Sequence, residues 1–151
     1  MPKNKLGFTL MEMLVTVLLI GILSAIGFPQ YIRVVEKQRA NEAVSTLSSI
    51  AKAEERYYAI NDEYCNDYSY LDVDLTDKDK KKATGVMLDT IYFTYSLGVT
   101  EEEPIVTATR KNSEYTIKRK LDTGDICCQA TSDEYLCDQL DLDVCTSQEE
   151  E

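Results

Sequence analysis

The sequence predicts an α+β protein in which a long N-terminal helix packs on a small antiparallel β-sheet head. An apolar run from Phe8 to Ile32 contains one charged residue, Glu12. Apolar residues then recur at helical spacing, and later segments alternate apolar with polar residues as half-buried strands do. These patterns predict a membrane-spanning helix at 8–32 after a short basic segment at 1–7, an amphipathic helix at 33–60 that continues into the head, and a β head at 61–151 with a cysteine-rich C-terminal loop.

Composition and charge restrict the function of the head. The chain has 151 residues, a one-domain length, with a formal net charge of -11 and no histidine. An acidic surface repels nucleic acid phosphates, so we expect no direct nucleic acid binding by the head. The sequence contains no catalytic triad, phosphate-binding loop or metal motif. We therefore expect a protein that is not an enzyme and that uses no cofactor.

The first seven residues, MPKNKLG, resemble the basic region of a secretory signal, but the small residue Gly7 precedes the apolar run. Cleavage after Gly7 would keep the apolar segment in the mature protein. That segment is long enough to span a bilayer, which takes roughly 20 residues, and Lys3 and Lys5 place the N-terminus in the cytoplasm. An uncleaved signal-anchor would also explain the apolar run.

The apolar run does not by itself explain Glu12. A carboxylate in hydrocarbon costs on the order of 2.5–3.5 kcal/mol and normally has a partner. A free α-amino group at Phe8 is the natural partner, and it exists only if the leader is removed. Our hypothesis is that Glu12 binds the Phe8 amine of an axially staggered neighbour and sets the stagger between subunits. The alternative is a carboxyl group that snorkels to the membrane surface or is protonated.

The segment Gly7-Phe8-Thr9-Leu10-Met11-Glu12 closely resembles the prepilin signature of type IV pilins and type II secretion pseudopilins. The resemblance implies that a peptidase cuts after Gly7 and that Phe8 is then methylated. Glu12 matches the glutamate of that family, and Met11 replaces a more frequent aliphatic residue. The implied partners are further copies in a helical filament, the prepilin peptidase, an assembly ATPase, an inner-membrane platform and the membrane itself.

The implied function is that of a structural subunit of a type IV pilus used in attachment, twitching motility or DNA uptake. The protein would reside in the inner membrane before assembly and in an extracellular filament afterwards. The alternatives are a type II secretion pseudopilin that acts as an export piston in a periplasmic pseudopilus, and a monomeric membrane-anchored binding protein. The monomeric protein would need neither leader cleavage nor Glu12.

Gly21 and Pro29 weaken the first half of the helix and fall where the family commonly has a glycine and a proline. Proline removes a backbone hydrogen bond and clashes with the preceding turn, at about 3 kcal/mol or more. Our hypothesis is that the stretch from Gly21 to Pro29 changes shape between bilayer and filament. A simple kink near the membrane surface is the alternative.

Beyond Pro29 the apolar stripe predicts a helix that continues to about Tyr58. Three strand-like runs follow, and an antiparallel meander of these strands would cover the stripe. The stripe comprises Val34, Ala40, Ala43, Val44, Leu47, Ile50 and Ala51, and the runs are Ile91 to Leu97, with Ile91, Phe93, Tyr95 and Leu97 on one face, Ile105 to Arg110, and Tyr115 to Leu121.

Cysteines and acidic residues gather near the C-terminus. The four clustered cysteines lack the CxxC pair that is typical of zinc sites. In a segment that is delivered across a membrane, such a cluster favours disulfides. The total of five cysteines leaves one thiol free or paired between chains. The resemblance implies a disulfide-closed surface loop, and a bond from Cys137 to Cys127 or Cys128 is our first candidate for a bridge. Calcium is a weak alternative without EF-hand spacing. The residues concerned are Cys65, Cys127, Cys128, Cys137 and Cys145, and Asp138, Asp141 and Asp143.

Overall fold

Helix α1 spans Leu10–Asn61 in the computed structural model, which describes residues 8–99, 104–112, 115–131 and 135–145. The helix therefore continues three residues past the predicted end at Tyr58. It stops where Asp62 takes a left-handed conformation with φ 56° and donates its backbone N–H to the Tyr58 carbonyl at 2.9 Å. The chain divides into two units between Glu36 and Lys37.

In the second unit, α1 buries a stripe of small and aliphatic side chains. Leu47 and Ile50 are fully buried, and Ala40, Ala43, Ala51 and Ala53 beside them are almost completely buried. Val34 was predicted to belong to this stripe, but it lies in the first unit and is exposed. The predicted stripe residues that are buried are Ala40, Ala43, Leu47, Ile50 and Ala51, with Val44 partly buried.

The sheet has five antiparallel strands in the order β1-β2-β3-β4-β5, so the predicted number of three was wrong. The three predicted runs correspond to β2, β3 and β4. A strand of three residues is too short to show alternation, and the last strand contains a cysteine pair, so neither outer strand was recognised. The strands are β1 Met87–Asp89, β2 Phe93–Val99, β3 Pro104–Arg110, β4 Tyr115–Lys120 and β5 Ile126–Ala130. A short helix α2, Tyr135–Gln139, follows.

Ile91 was predicted to lie on the buried face of a strand, but it lies in the turn between β1 and β2 and is 71% exposed. Thr90 forms this turn. Its backbone N–H donates to the Phe93 carbonyl at 2.9 Å, and its hydroxyl accepts the Phe93 N–H at 3.2 Å. The strand therefore starts at Phe93, two residues later than predicted.

One face of the sheet packs into a single core with the stripe of α1. On β4, Tyr115 and Ile117 point into this core, and Arg119 follows them on the same face. The Arg119 guanidinium donates to the Ser48 hydroxyl of α1 at 3.1 Å. The opposite face is rich in hydroxyl groups, and Ser96 and Thr107 hydrogen bond across β2 and β3 at 2.6 Å.

Glu54 is a buried carboxylate that the sequence pattern did not reveal. Its side chain is fully buried, and its Oε2 atom accepts the backbone N–H of Cys65 at 2.9 Å, which ties α1 to the following loop. Its Oε1 atom has no hydrogen-bond partner within the described ranges. Burial raises the pKa of Glu54 to about 6, and the Cys65 hydrogen bond opposes only part of that effect.

We predict that Glu54→Gln removes a pH dependence of stability that the wild-type chain shows between about pH 4.5 and 6. The folded pKa is raised above its ordinary value of 4.5, so the folded state binds the extra proton and stability falls as pH rises through this window. A pKa difference of roughly 1.5 units corresponds to about 2 kcal/mol. Urea unfolding of the full chain in detergent at about pH 4.5 and pH 7 measures the effect.

The matched control is Glu55→Gln, because Glu55 is the exposed neighbour on the same helix. The control should keep the wild-type pH profile. Equal profiles for wild type and Glu54→Gln would show that the buried carboxylate does not titrate in this range.

Candidate functional site

The first unit presents an apolar helix surface with no cover from the rest of the described chain. Within α1, an 18-residue window reaches a mean hydropathy of 2.3, and none of it is buried. This is the one helix in the described ranges that is long and apolar enough to cross a membrane. Phe8 and Leu10 begin this surface, with 76% and 78% of their areas exposed. A surface of this kind requires lipid or other apolar helices around it.

Thr9 caps the start of α1, a contact that was not predicted from the sequence. Its hydroxyl accepts the backbone N–H of Glu12 at 3.2 Å, and its carbonyl accepts the N–H of Met13 at 3.2 Å. The spacing Thr9-x-x-Glu12 is the capping-box pattern, which could have revealed this contact. The Glu12 side chain is exposed and makes no hydrogen bond or ion pair within the described part of the chain.

Gly21 and Pro29 lie inside a continuous helix. Residues 10–61 keep helical conformation through both positions, so this structure contains no break there. A Cβ atom added at Gly21 would meet nothing within 4 Å. Gly21 also lines a shallow apolar groove together with Leu14, Leu18 and Ala25. A second apolar helix can pack against this groove. The proposed change of shape between bilayer and filament stays a prediction, as do leader cleavage and methylation, because Gly7 lies outside the described residues.

Two disulfides close the C-terminal region. Cys128 is bonded to Cys137, which is one of the two pairings that the sequence left open, and Cys127 is bonded to Cys145. Alternation along β5 separates the vicinal pair: Cys128 and Cys137 are fully buried, whereas Cys127 and Cys145 are partly exposed. Cys127 and Cys128 therefore form their disulfides on opposite faces of the sheet.

The last described segment adds to the edge of β5. The backbone N–H of Cys128 donates to the Asp143 carbonyl at 2.7 Å, and the N–H of Cys145 donates to the Cys128 carbonyl at 2.9 Å. These bonds form a parallel bridge between Cys128 and Val144. The segment thereby covers backbone groups that an edge strand would otherwise expose.

Cys65 is the cysteine without a disulfide, and its thiol is buried. Its Sγ atom donates to the Asp67 carbonyl at 3.2 Å, and burial raises the pKa of the thiol. A buried, protonated thiol is a poor nucleophile, so Cys65 acts as a small core residue.

The acidic residues of the C-terminal region do not form a metal cage in the described part of the chain, where no three acidic or cysteine side chains gather around one point. Asp141 instead forms an ion pair with Lys37 of α1. Its backbone has φ 55°, and its N–H donates to the Asp138 carbonyl at 3.0 Å. Asp143 uses its backbone carbonyl to bind β5, as described above. Asp138 lies within α2, and Asp141 and Asp143 lie in the segment that follows it.

Two family models match the sequence. The model described as type IV minor pilin ComP, DNA uptake sequence receptor, matches residues 29–141, three quarters of the chain. The model described as prokaryotic N-terminal methylation motif matches residues 2–28. Together they cover both the apolar segment and the head.

Curated relatives match mainly a short segment. The type IV major pilin protein PilA of Myxococcus xanthus is 35% identical over 63 residues, which is 42% of this chain and 28% of PilA. A fimbrial protein of Pseudomonas aeruginosa is 42% identical over 53 residues, which is 35% of this chain and 34% of that protein. The matches thus span about a third or less of the relatives' lengths. No solved structure gives a significant match.

We predict that the two disulfides are reduced in a fixed order when reductant is added to the folded chain. The partly exposed bond between Cys127 and Cys145 should open first, and the buried bond between Cys128 and Cys137 should open later. Stepwise reduction with alkylation and peptide mass spectrometry measures this order. Cys65 is the internal control, because its buried thiol should label only on unfolding. Labelling of Cys137 before Cys145 would contradict the pairing or the burial.

Proposed function

Because this chain belongs to the type IV pilin family, we propose that it acts as a structural subunit of a type IV pilus, assembled after a leader is cut between Gly7 and Phe8. The observation that carries the proposal is the apolar helix surface that starts at Phe8 and has no cover within the described chain. Lipid covers such a surface before assembly. In a filament, the same surfaces of neighbouring subunits cover each other.

Glu12 determines the axial stagger between neighbouring subunits in this packing. The Glu12 carboxylate is exposed and has no partner within the described part of the chain, so it is available to a partner from another chain. The amine of a cleaved Phe8 in a staggered neighbour provides that partner. An ion pair between apolar helices is strongly position-dependent, because a shifted neighbour leaves a charge buried and unpaired.

The proposed assembly path uses the prepilin peptidase, an assembly ATPase and an inner-membrane platform. The subunit starts in the inner membrane and ends in an extracellular filament that serves attachment, twitching motility or DNA uptake. This role requires no catalytic function, because a structural subunit acts through packing. A type II secretion pseudopilin, which forms a periplasmic export piston, and a monomeric anchored binding protein are the alternatives.

The proposal predicts an N-methylated Phe8 at the N-terminus of the mature protein and loss of filaments on Glu12→Ala. Intact-protein mass spectrometry of membrane and sheared surface fractions measures the first, and electron microscopy with immunoblotting of the sheared fraction measures the second. We expect filament yield to fall at least about tenfold, since each unpaired Phe8 amine costs several kcal/mol in the apolar core.

The matched control is Thr16→Ala, four residues along the same exposed segment, where the hydroxyl donates to the Met13 carbonyl at 2.8 Å. This variant should form filaments. A mature protein that begins at Met1 would refute the proposal, and normal yield with Glu12→Ala would refute the role of Glu12. Filaments confined to the periplasm would favour the pseudopilin alternative.

DNA uptake is a second candidate function, favoured by the description of the family model that matches the head. The described residues offer Lys118 and Lys120 on β4, where alternation places them on the face opposite Ile117. Two lysines on one flat face can contact successive phosphates. The net charge of -11 opposes such binding at long range, and the sequence predicted none.

A DNA-binding assay tests whether the head binds DNA despite its net negative charge. Fluorescent duplex DNA is titrated with the full chain in detergent at several salt concentrations. If β4 binds DNA, Lys118→Ala with Lys120→Ala should weaken binding and reduce the slope of log affinity against log salt by about 2. Lys80→Ala with Lys81→Ala is the control, because both lysines lie in an exposed loop away from β4. No binding, or equal loss in the control, would exclude this site.

A further inference from the structure

A preformed concavity lies beside the C-terminal end of α1. It has a volume of about 180 Å³ and is lined by residues that include Tyr57, Ile60 and Tyr70. Ile60 is 82% exposed and Tyr70 is 71% exposed. Arg56 and Asp72 form another wall of the concavity, where the Arg56 guanidinium donates to the Asp72 carbonyl at 2.6 Å. The concavity therefore combines exposed apolar side chains with one hydrogen-bonded wall.

A protruding apolar side chain lies on the turn between β1 and β2. Ile91 is 71% exposed at this turn. The turn is held on both sides of Ile91, since the Thr90 hydroxyl donates to the Phe93 carbonyl at 2.8 Å and the Lys111 backbone N–H donates to the Tyr92 carbonyl at 2.9 Å. An aliphatic side chain on a fixed turn is a suitable knob for a small apolar cavity.

The knob and the concavity lie at opposite ends of the part of α1 that belongs to the second unit. The Arg39 guanidinium lies 4.4 Å from the centroid of the Tyr92 ring, which places the turn beside residue 39 of the helix. The concavity lies beside residues 57 and 60. At 1.5 Å per residue, the two sites are about 27 to 31 Å apart along the helix axis. The two sites therefore cannot meet within one chain.

Charge is distributed unequally between these two ends. Arg39, Arg110 and Lys111 surround the turn, with Asp89 bonded to Lys111. At the concavity, Asp72 pairs with Arg56, and the exposed carboxylates of Asp62 and Glu63 directly follow the end of the helix, so acidic groups outnumber basic ones there. A head-to-tail contact between two chains brings the opposite charges together, whereas a contact between like ends opposes them.

We propose that Ile91 of one subunit inserts into the concavity formed by Tyr57, Ile60 and Tyr70 of the next subunit. The contact joins two different patches of the same chain, so it is heterologous and repeats along a filament instead of closing into a dimer. This inference rests on the proposed filament function, and it assigns the second contact of assembly, between heads, beside the packing of the apolar helices.

Site-specific photo-cross-linking in filaments tests the contact. A benzophenone amino acid replaces Tyr70, a conservative exchange of one exposed aromatic ring for another, in the full-length chain. Covalent dimers from the sheared filament fraction are digested, and the attachment site is located by mass spectrometry. We expect attachment within Thr90 to Tyr92 of the second chain. The matched control carries the probe at Tyr135, beside the opposite edge strand β5, and should not label that turn.

Substitutions give a second readout. Ile91→Asp and Ile60→Asp should each lower the amount of sheared filament several-fold, and the double variant should be no worse than the more severe single variant, because both remove one contact. Ile91→Leu and Val86→Asp are the controls, since the first keeps an apolar knob and the second places a charge at another exposed apolar site. Both controls should form filaments.

The possible outcomes separate this contact from the proposed function. Abundant wild-type filaments whose Tyr70 probe labels another segment, another protein or nothing would overturn the contact and leave the filament function intact. Normal filaments with both aspartate variants would also overturn it. If wild-type chains form no filament at all, the filament function fails, and the head contact fails with it.

Discussion

The burial of the helix stripe against the sheet is the interaction on which the head depends. Leu47 and Ile50 of α1 form one core with Tyr95, Val106 and Ile117 of the sheet. A sheet with one apolar face needs a covering layer, and an amphipathic helix supplies it. The hydroxyl-rich face of the sheet points away from this core. The packing of the helix on the sheet also positions the turn at Ile91, which joins β1 and β2, and the loop that follows α1 after Asn61.

The same helix meets two different environments along its length. From Leu10 to Ile32 in the first unit, the helix is largely apolar around its circumference and exposed, with Glu12 as its one charged residue, and in the second unit the apolar residues form one buried stripe. A helix that is apolar all round requires lipid or other helices, whereas a stripe requires one layer of protein. This change of pattern explains how one continuous helix can serve a membrane or filament core in its first part and a folded head in its second.

The edges of the sheet are protected in different ways. On the β5 side, two disulfides and the parallel bridge at Val144 hold the C-terminal segment against the edge strand. On the other side, β1 is only three residues long, and the Lys78 N–H donates to its Asp89 carbonyl at 2.8 Å. Short and covered edges prevent unspecific pairing between strands of neighbouring heads. Specific side-chain contacts can then determine how subunits meet.

The sequence by itself determined the helix, the strands β2 to β4 and the family signature from Gly7 to Glu12. These features depend on local periodicity and on a short motif, which a chain carries regardless of its partners. Only the tertiary structure decided the outer strands, the pairing of Cys127 with Cys145, the burial of Glu54 and the exposure of Ile91. Each of these depends on which distant segment lies opposite, and residue spacing along the chain does not contain that information. The local signature of assembly was therefore readable from residues, whereas the candidate surface between heads became visible only when both ends of the folded head were placed.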